Sequence, residues 1–272
     1  MQFPVTFHVL GQSIPSHPVL EMLGYTIGFQ TFLRIRRRRE TLIGHDPVPA
    51  ETMLWLLVAC VFGAFAGSKI LAWIESWPDY WSHRADPTVW IGGKTIVGGI
   101  VGGWAGIELA KKILGVRSRT GDAYVIPLCL GIAIGRIGCF LTGLPDHTYG
   151  IATGLLWGVD FGDGILRHPT QLYEMLWLLG MSAVFWRAGA GWRRDSSGAM
   201  FRWFVVGCLG LRFVIEFIKP TFKPYAGLSA IQVVSMVSVG VALWQIRRIR
   251  ATDAPRSLSS APSAQPFRSS LP

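Results

Sequence analysis

The chain has 272 residues, half of them hydrophobic and only 15% charged, with a mean hydropathy of +0.38. Those values exclude an ordinary soluble domain and point to an all-α, multi-pass membrane protein. The formal net charge of +10 is read as basic cytoplasmic loops rather than a nucleic-acid surface, so no nucleic-acid partner is expected. Cys60, Cys129, Cys139 and Cys208 all fall in apolar stretches, so neither a disulfide framework nor a metal site is expected at them.

In chain order, the first segment, MQFPVTFHVLGQSIPSHPV, lacks a basic start followed by a short apolar core, so no cleaved signal peptide is expected. Apolar stretches of about 20 residues then predict seven transmembrane helices. They lie at approximately 18–34, 52–76, 95–114, 122–143, 171–187, 199–219 and 226–246. The first connection carries Arg34 to Arg39 in the run RIRRRR, the third Lys111, Lys112, Arg117 and Arg119, and the fifth Arg187, Arg193 and Arg194. The alternate connections, 77–94, 144–170 and 220–225, are poor in Lys and Arg. This alternation places the odd connections and the C-terminus in the cytoplasm and the N-terminus outside. Trp73, Trp77, Tyr80, Trp81 and Trp90 bracket the second connection as an interfacial aromatic belt. One transmembrane domain over 1–250 is expected, with a long external loop at 144–170 that lacks obvious secondary structure. A Ser-, Ala- and Pro-rich cytoplasmic tail at 251–272 is expected to be disordered. No internal repeat is seen, which disfavours a transporter built from inverted halves.

Polar groups inside the spans carry the functional signal. Arg136 lies in AYVIPLCLGIAIGRIGCFLTG, where an isolated cation costs roughly 2.5–3.5 kcal/mol and normally faces a bundle interior that holds an anion. Gly135, Gly138 and Gly143 around it allow close approach of a backbone or a lipid headgroup. Arg212 and Glu216 are one turn apart on the sixth helix, and His168, Gln171, Tyr173 and Glu174 open the fifth. Together these groups describe a polar chamber at one depth, suited to an anionic headgroup because a guanidinium fork matches phosphate oxygens. The structural alternative is that Arg212 neutralises Glu216 while Glu174 only pairs with Arg136. Glu21 and Glu108 receive no role beyond ion pairing, and Lys69 is read as snorkelling.

The succession GRIGCFLTG, Gly150, RHPTQLYE and LRFVIEF, preceded by FPVTFHVLGQSIP and GGIVGGWAG, resembles the prolipoprotein diacylglyceryl transferase family over about residues 3–246. The resemblance implies transfer of a diacylglyceryl group from phosphatidylglycerol to the lipobox cysteine thiol of a prolipoprotein signal peptide. It also implies a multi-pass protein of the bacterial cytoplasmic (inner) membrane, working among membrane lipids without a cofactor. Arg136 and Arg212 match the family's headgroup arginines, and Glu216 matches the acidic residue one turn after the second. Gly98, Gly99, Gly138, Gly143, Gly150, Gln171, Tyr173 and Glu174 fall on motif positions and are read as substrate-binding.

Four positions depart from the family pattern. Val97 stands where a histidine precedes the paired glycines, Cys139 replaces an asparagine, Leu144 replaces an acidic residue, and Cys208 replaces a tyrosine. With that histidine gone, His147 or His168 is the substitute base, and His168 is placed with the two arginines as catalytic. Two readings follow: a transferase, or a divergent relative that binds or moves an anionic phospholipid or modifies another acceptor.

Overall fold

The computed structural model describes residues 3–9, 11–43, 48–192 and 198–253. It is mostly helical, at 72%. Seven long helices are present among the described residues: α1 (Ser16–Ile43), α2 (Ala50–Glu75), α5 (Ile96–Leu114), α6 (Val125–Thr142), α7 (Thr170–Trp192), α8 (Ala199–Ile215) and α9 (Ala230–Asp253). Two short helices, α3 (Trp77–Ser82) and α4 (Pro87–Ile91), lie between α2 and α5. The expected tail lies outside the described residues from 254 onward, while residues 251–253 extend α9.

Among the described residues, three segments are long and apolar enough to cross a membrane: Ala50–Glu75, Gly121–Thr142 and Ala230–Ala251. The other long helices contain the polar groups that lower their hydropathy. α5 carries Glu108, Lys111 and Lys112, α8 has 17 residues, and α1 and α7 open on polar turns.

The all-α expectation is corrected in two places. An antiparallel hairpin pairs β1 (Thr6–Val9) with β2 (Gln12–Pro15), and a second pairs β3 (Val159–Asp160) with β4 (Leu166–Arg167). The second hairpin also corrects the reading of 144–170 as structureless. Asp160 Oδ1 accepts backbone N–H bonds from Gly162, Asp163 and Gly164, closing the hairpin turn. Arg167 Nη1 donates to Asp163 Oδ1 at 2.6 Å, and this hydrogen bond holds the Asp163 carboxyl below its ordinary range. The short polar connection between strands is thus tied by its own side chains.

Backbone proximity organises the bundle. α2 and α5 meet through Gly63, Gly67, Gly98 and Gly102, and a Cβ on Gly98 would stand 2.8 Å from the Gly67 carbonyl carbon. The same small-residue logic joins α1 to α6, where Gly24 faces Gly131. Distant carboxylates satisfy helix starts. Asp122 accepts from the N–H groups of Gly198 and Phe201 at 2.9 Å, and Glu75 accepts from Ile231 N–H at 3.0 Å. Ser229 and Gln232 complete the start of α9 with reciprocal bonds of 2.9 and 3.2 Å. Around these anchors, Leu71, Val125, Cys129, Phe204 and Leu209 fill a continuous apolar core.

The contacts gather the start of α1, the end of α2, the start of α5, the end of α6, the start of α7, the end of α8 and the start of α9 at one end of the bundle. Trp77 and Trp81 of α3 stack at 5.4 Å at that end, both about half exposed, as an interfacial pair would be. Lys69 is not merely snorkelling, because its ammonium donates to the carbonyls of Gly92 and Gly93 at 3.0 and 2.9 Å.

The α2–α5 seam gives a direct check. Gly98→Val is expected to lower stability by about 1–3 kcal/mol through overpacking. Gly99→Ala, whose added carbon would meet only ordinary contacts at 3.8 and 4.0 Å, is expected to be near neutral. Thermal unfolding of both variants in detergent measures the difference.

Candidate functional site

The site begins with the entry to α7. Pro169 precedes the helix, and the Thr170 hydroxyl donates to the Thr148 carbonyl at 2.5 Å, tying the loop to the first turn. That start fixes Gln171 and Glu174 three residues apart, both buried. α6 brings Arg136 from one side at 4% exposure. From the other side, α8 brings Arg212 near its end, and the following 3-10 turn buries Glu216 completely.

These groups form one ion-pair lattice. Glu174 Oε2 pairs with Arg136 Nη2, while Glu174 Oε1 accepts from Arg212 Nη1 at 2.6 Å. Arg212 Nη2 pairs with Glu216 Oε2 at 2.9 Å, and Lys219 Nζ lies 3.5 Å from Glu174 Oε1. Both structural alternatives raised by the sequence therefore hold at once: Arg212 pairs with Glu216, and Glu174 pairs with Arg136. The two arginines do meet, as the polar chamber requires, but a protein carboxylate stands between them.

Spare hydrogen-bonding capacity remains buried in the same place. Among the described residues, Arg136 Nε has no hydrogen-bond acceptor, neither Gln171 Oε1 nor Gln171 Nε2 has a partner although Gln171 is fully buried, and Glu216 Oε1 is likewise unpaired. Buried polar atoms normally find partners, so unpaired ones beside a charge lattice mark places where a ligand group can be received. Arg136, Arg212 and Lys219 are paired directly with Glu174 and Glu216, and the carboxylates of Glu75 and Asp146 lie close enough to act electrostatically on Arg212 and Arg136.

Two of the four departures from the family pattern, Val97 and Cys208, lie beside this lattice. Val97, Cys208, Trp177, Glu174 and Arg212 line one narrow crevice between α5, α7 and α8. A valine and a cysteine thus give the crevice an apolar wall beside the charged groups.

The remaining sequence-predicted residues divide by location. His168 is half-buried, its Nδ1 lies 3.2 Å from the Tyr173 hydroxyl, and that hydroxyl also accepts from Trp157 Nε1 at 2.8 Å. Among the described residues this cluster makes no ion pair with Arg136 or Arg212, so His168 is not brought into the lattice. His147 sits in the left-handed region at φ 53, just past the Leu144–Asp146 turn. Gly150 packs against the His168 Cβ and donates its N–H to the His168 carbonyl at 2.9 Å. Gly143 ends α6 at φ +72 against the Phe3 ring, a conformation that favours glycine. Gly138 meets the backbone of His17, and Gly98 lies in the α2–α5 seam with Gly99 beside it. Among the glycines expected to touch substrate, Gly98 and Gly138 lie at helix contacts and Gly143 at a turn.

Sequence reasoning missed a second polar cluster. His17 Nδ1 lies 3.5 Å from Asp146 Oδ1, and its Nε2 lies 3.6 Å from Glu21 Oε2. Lys94 Nζ holds both Glu21 oxygens at 2.5 and 2.6 Å, and the Tyr25 hydroxyl donates to Glu21 at 2.6 Å. Arg136 Nη1 reaches Cys139 Sγ at 3.8 Å, which brings this cluster up to the lattice. The available signal was the interruption of apolar sequence by His17 and Glu21, the second and sixth residues of α1 and one turn apart. Lys219 was also missed, having been counted as the end of a span.

A helical membrane protein with a buried lattice of arginine, glutamate and lysine side chains is the class that this fold and site define. The family model described as prolipoprotein diacylglyceryl transferase matches residues 4–247, and the chain belongs to that family. It is 29% identical over 232 residues to the phosphatidylglycerol–prolipoprotein diacylglyceryl transferase of Geobacter sulfurreducens, covering 80% of this chain and 84% of that one. Proteins of the same name from Bordetella parapertussis and Geobacillus kaustophilus are each 31% identical. Those two alignments cover 72% and 75% of this chain, and 76% and 79% of the relatives. No solved structure matches the chain.

Glu174→Gln is expected to destabilise the protein by about 3–5 kcal/mol, because it leaves the buried Arg136 without its paired carboxylate and Arg212 with Glu216 alone. Inorganic phosphate is expected to raise the unfolding temperature of this variant more than that of the parent. Thermal scans with and without phosphate would measure both effects.

Proposed function

We propose that the chain transfers the diacylglyceryl group of phosphatidylglycerol to the lipobox cysteine thiol of a prolipoprotein signal peptide. The observation that carries this reading is the joint hold of Arg136 and Arg212, from separate helices, on the single Glu174 carboxylate. Two guanidinium forks aimed at one planar anion are suited to a phosphodiester in the same position, with Glu174 shared or displaced. Arg136 Nε and the Lys219 ammonium supply further donors. In the reaction the acceptor thiol loses its proton and its sulfur attacks the glyceryl carbon. A C–S bond forms, the C–O bond to phosphate breaks, and the glycerol phosphate leaves with the bonding electron pair. The arginines stabilise the charge that develops on that leaving oxygen.

The same reading places seven spans in the bacterial cytoplasmic membrane, with the N-terminus and the lattice toward the outer face and the basic connections inside. The alternating directions of the seven long helices and the Arg-rich stretch of α1 support that orientation. The loop from Leu144 to His168 then lies outside, where a signal peptide arrives. Gln171, Tyr173, Glu216, Gly138, Gly143 and Gly150 are proposed to shape the donor site around the headgroup. His168, held by Tyr173, is proposed to lie at the acceptor side of it.

A second reading, lipid binding or movement without transfer, is favoured by the apolar wall that Val97 and Cys208 give the crevice. Purified protein incubated with labelled phosphatidylglycerol and a lipobox peptide separates the two. Thioether product is expected, whereas saturable lipid binding without product would support the second reading. Arg136→Ala is expected to reduce product formation by about 100- to 1,000-fold, the typical effect of losing a donor to a developing oxyanion, with membrane insertion intact. Unchanged turnover in that variant would remove the site from the reaction.

A further inference from the structure

Resting on the transferase reading, we propose that His17, Cys139 and Asp146 form a divalent-metal site, of the zinc type, that binds the acceptor thiol as a thiolate. The three side chains come from α1, the last turn of α6 and the 3-10 turn that follows it. Their ligand atoms all lie within 4.8 Å of one another, with His17 and Asp146 already at 3.5 Å. In a tetrahedral zinc site, bonds of about 2.0–2.3 Å place ligand atoms roughly 3.3–3.7 Å apart, so modest side-chain movement completes the set. Three protein ligands of mixed N, S and O type leave a fourth position open, which is the arrangement of a reactive rather than a structural zinc.

The surroundings fit the same reading. His17 Nδ1 is buried without a hydrogen bond, as a ligating nitrogen would be before metal arrives. The other ring nitrogen lies 3.6 Å from Glu21, whose carboxylate is itself fixed by Lys94 and Tyr25. A carboxylate behind a ligating histidine orients the ring and raises its basicity. The second Asp146 oxygen accepts from the Thr148 hydroxyl, which holds that ligand too. Gly138 admits the backbone of His17 against α6, bringing its ring to the level of Cys139.

Charge is balanced, because a dication with one thiolate and one carboxylate is neutral and places no added repulsion on Arg136, 3.8 Å from the sulfur. His17 and Asp146 side chains are 22% and 13% exposed, so the open position can be reached. At that position the acceptor thiol would release its proton to solvent on coordination, which fills the need left where Val97 stands in place of a histidine. The metal-bound sulfur then makes the C–S bond described above, and the electron pair leaves on the phosphate oxygen. The cysteine spacing gives no zinc signature because each ligand comes from a different element.

The test uses the full chain in detergent, stripped with a chelator and titrated with Co²⁺. One cobalt per chain is expected, with tetrahedral visible bands, a thiolate-to-cobalt charge-transfer band, and displacement by Zn²⁺. Cys139→Ser removes that band, and His17→Ala or Asp146→Ala weakens binding by about 100-fold. Glu21→Gln, which only orients the ring, weakens it by about tenfold. Should Cys139→Ser fail to fold, Cys139→Asp retains three ligands and must bind cobalt without the band. A lipobox peptide containing cysteine shifts the spectrum as a second thiolate enters, and its serine counterpart does not. Failure to bind cobalt, binding indifferent to all three ligand substitutions, or no shift with the cysteine peptide each overturns the proposal. A peptide-dependent shift in protein that forms no thioether supports the metal site and sinks the transferase reading. Full transfer by metal-stripped protein does the reverse.

Discussion

The Glu174 carboxylate shared by Arg136 and Arg212 is the interaction on which the rest of the molecule depends. Three helices end their polar requirements on it: α6 through Arg136, α7 through Glu174 and α8 through Arg212. In an apolar interior a buried guanidinium without a counter-ion is far more costly than the pair is favourable, so the lattice acts by forbidding other arrangements of these helices. The fully buried Glu216 and Lys219 extend it toward the loop before α9. What the lattice contributes is specificity of position, delivered where the proposed chemistry needs it.

The glycine seams and distant caps serve that positioning. α2 and α5 approach through backbone, so Glu75 at the end of α2 can reach the first turn of α9, and Val97 near the start of α5 can face Glu174 and Arg212. A bulkier seam would move Val97 away from the crevice and Glu75 away from Ile231. The same economy brings His17 against Gly138, which is what places a histidine, a cysteine and an aspartate from three elements beside Arg136.

Much of this was legible in the sequence, for physical reasons that also mark the limits. Arg136, Arg212, Glu174 and Glu216 stood out because charge in an apolar run has few places to go, and the structure brings all four together. What spacing could not show was that Glu174 serves both arginines, since pairing between helices depends on rotation about their axes. Helix interiors were clear and ends were not: α1 runs through RIRRRR to Ile43, because a helix extends into basic sequence as readily as into apolar. The β1–β2 hairpin in FPVTFHVLGQSIP escaped notice because four-residue strands are too short for alternation to register. Gly98 and Gly138 carried an ambiguous signal, since a glycine that admits a ligand and one that admits a neighbouring helix look alike in one chain.

Length in α8 and the distribution of polarity elsewhere explain why three segments among the described residues satisfy a simple test for membrane crossing. α1 opens on Ser16, His17 and Glu21, and α7 opens on Thr170, Gln171, Tyr173 and Glu174. Those residues lower the hydropathy of the very helices that build the two polar clusters. Most of them gather at the end of the bundle where α6 and α8 finish, and there each polar group finds others rather than lipid. A helix can therefore fall short of apolar by composition and still bury its charges, provided its neighbours carry the complementary ones at the same level. Hydropathy scores each segment alone, whereas the solvation of Glu174 is set by α6 and α8, and that of His17 by α6 and the turn that follows it.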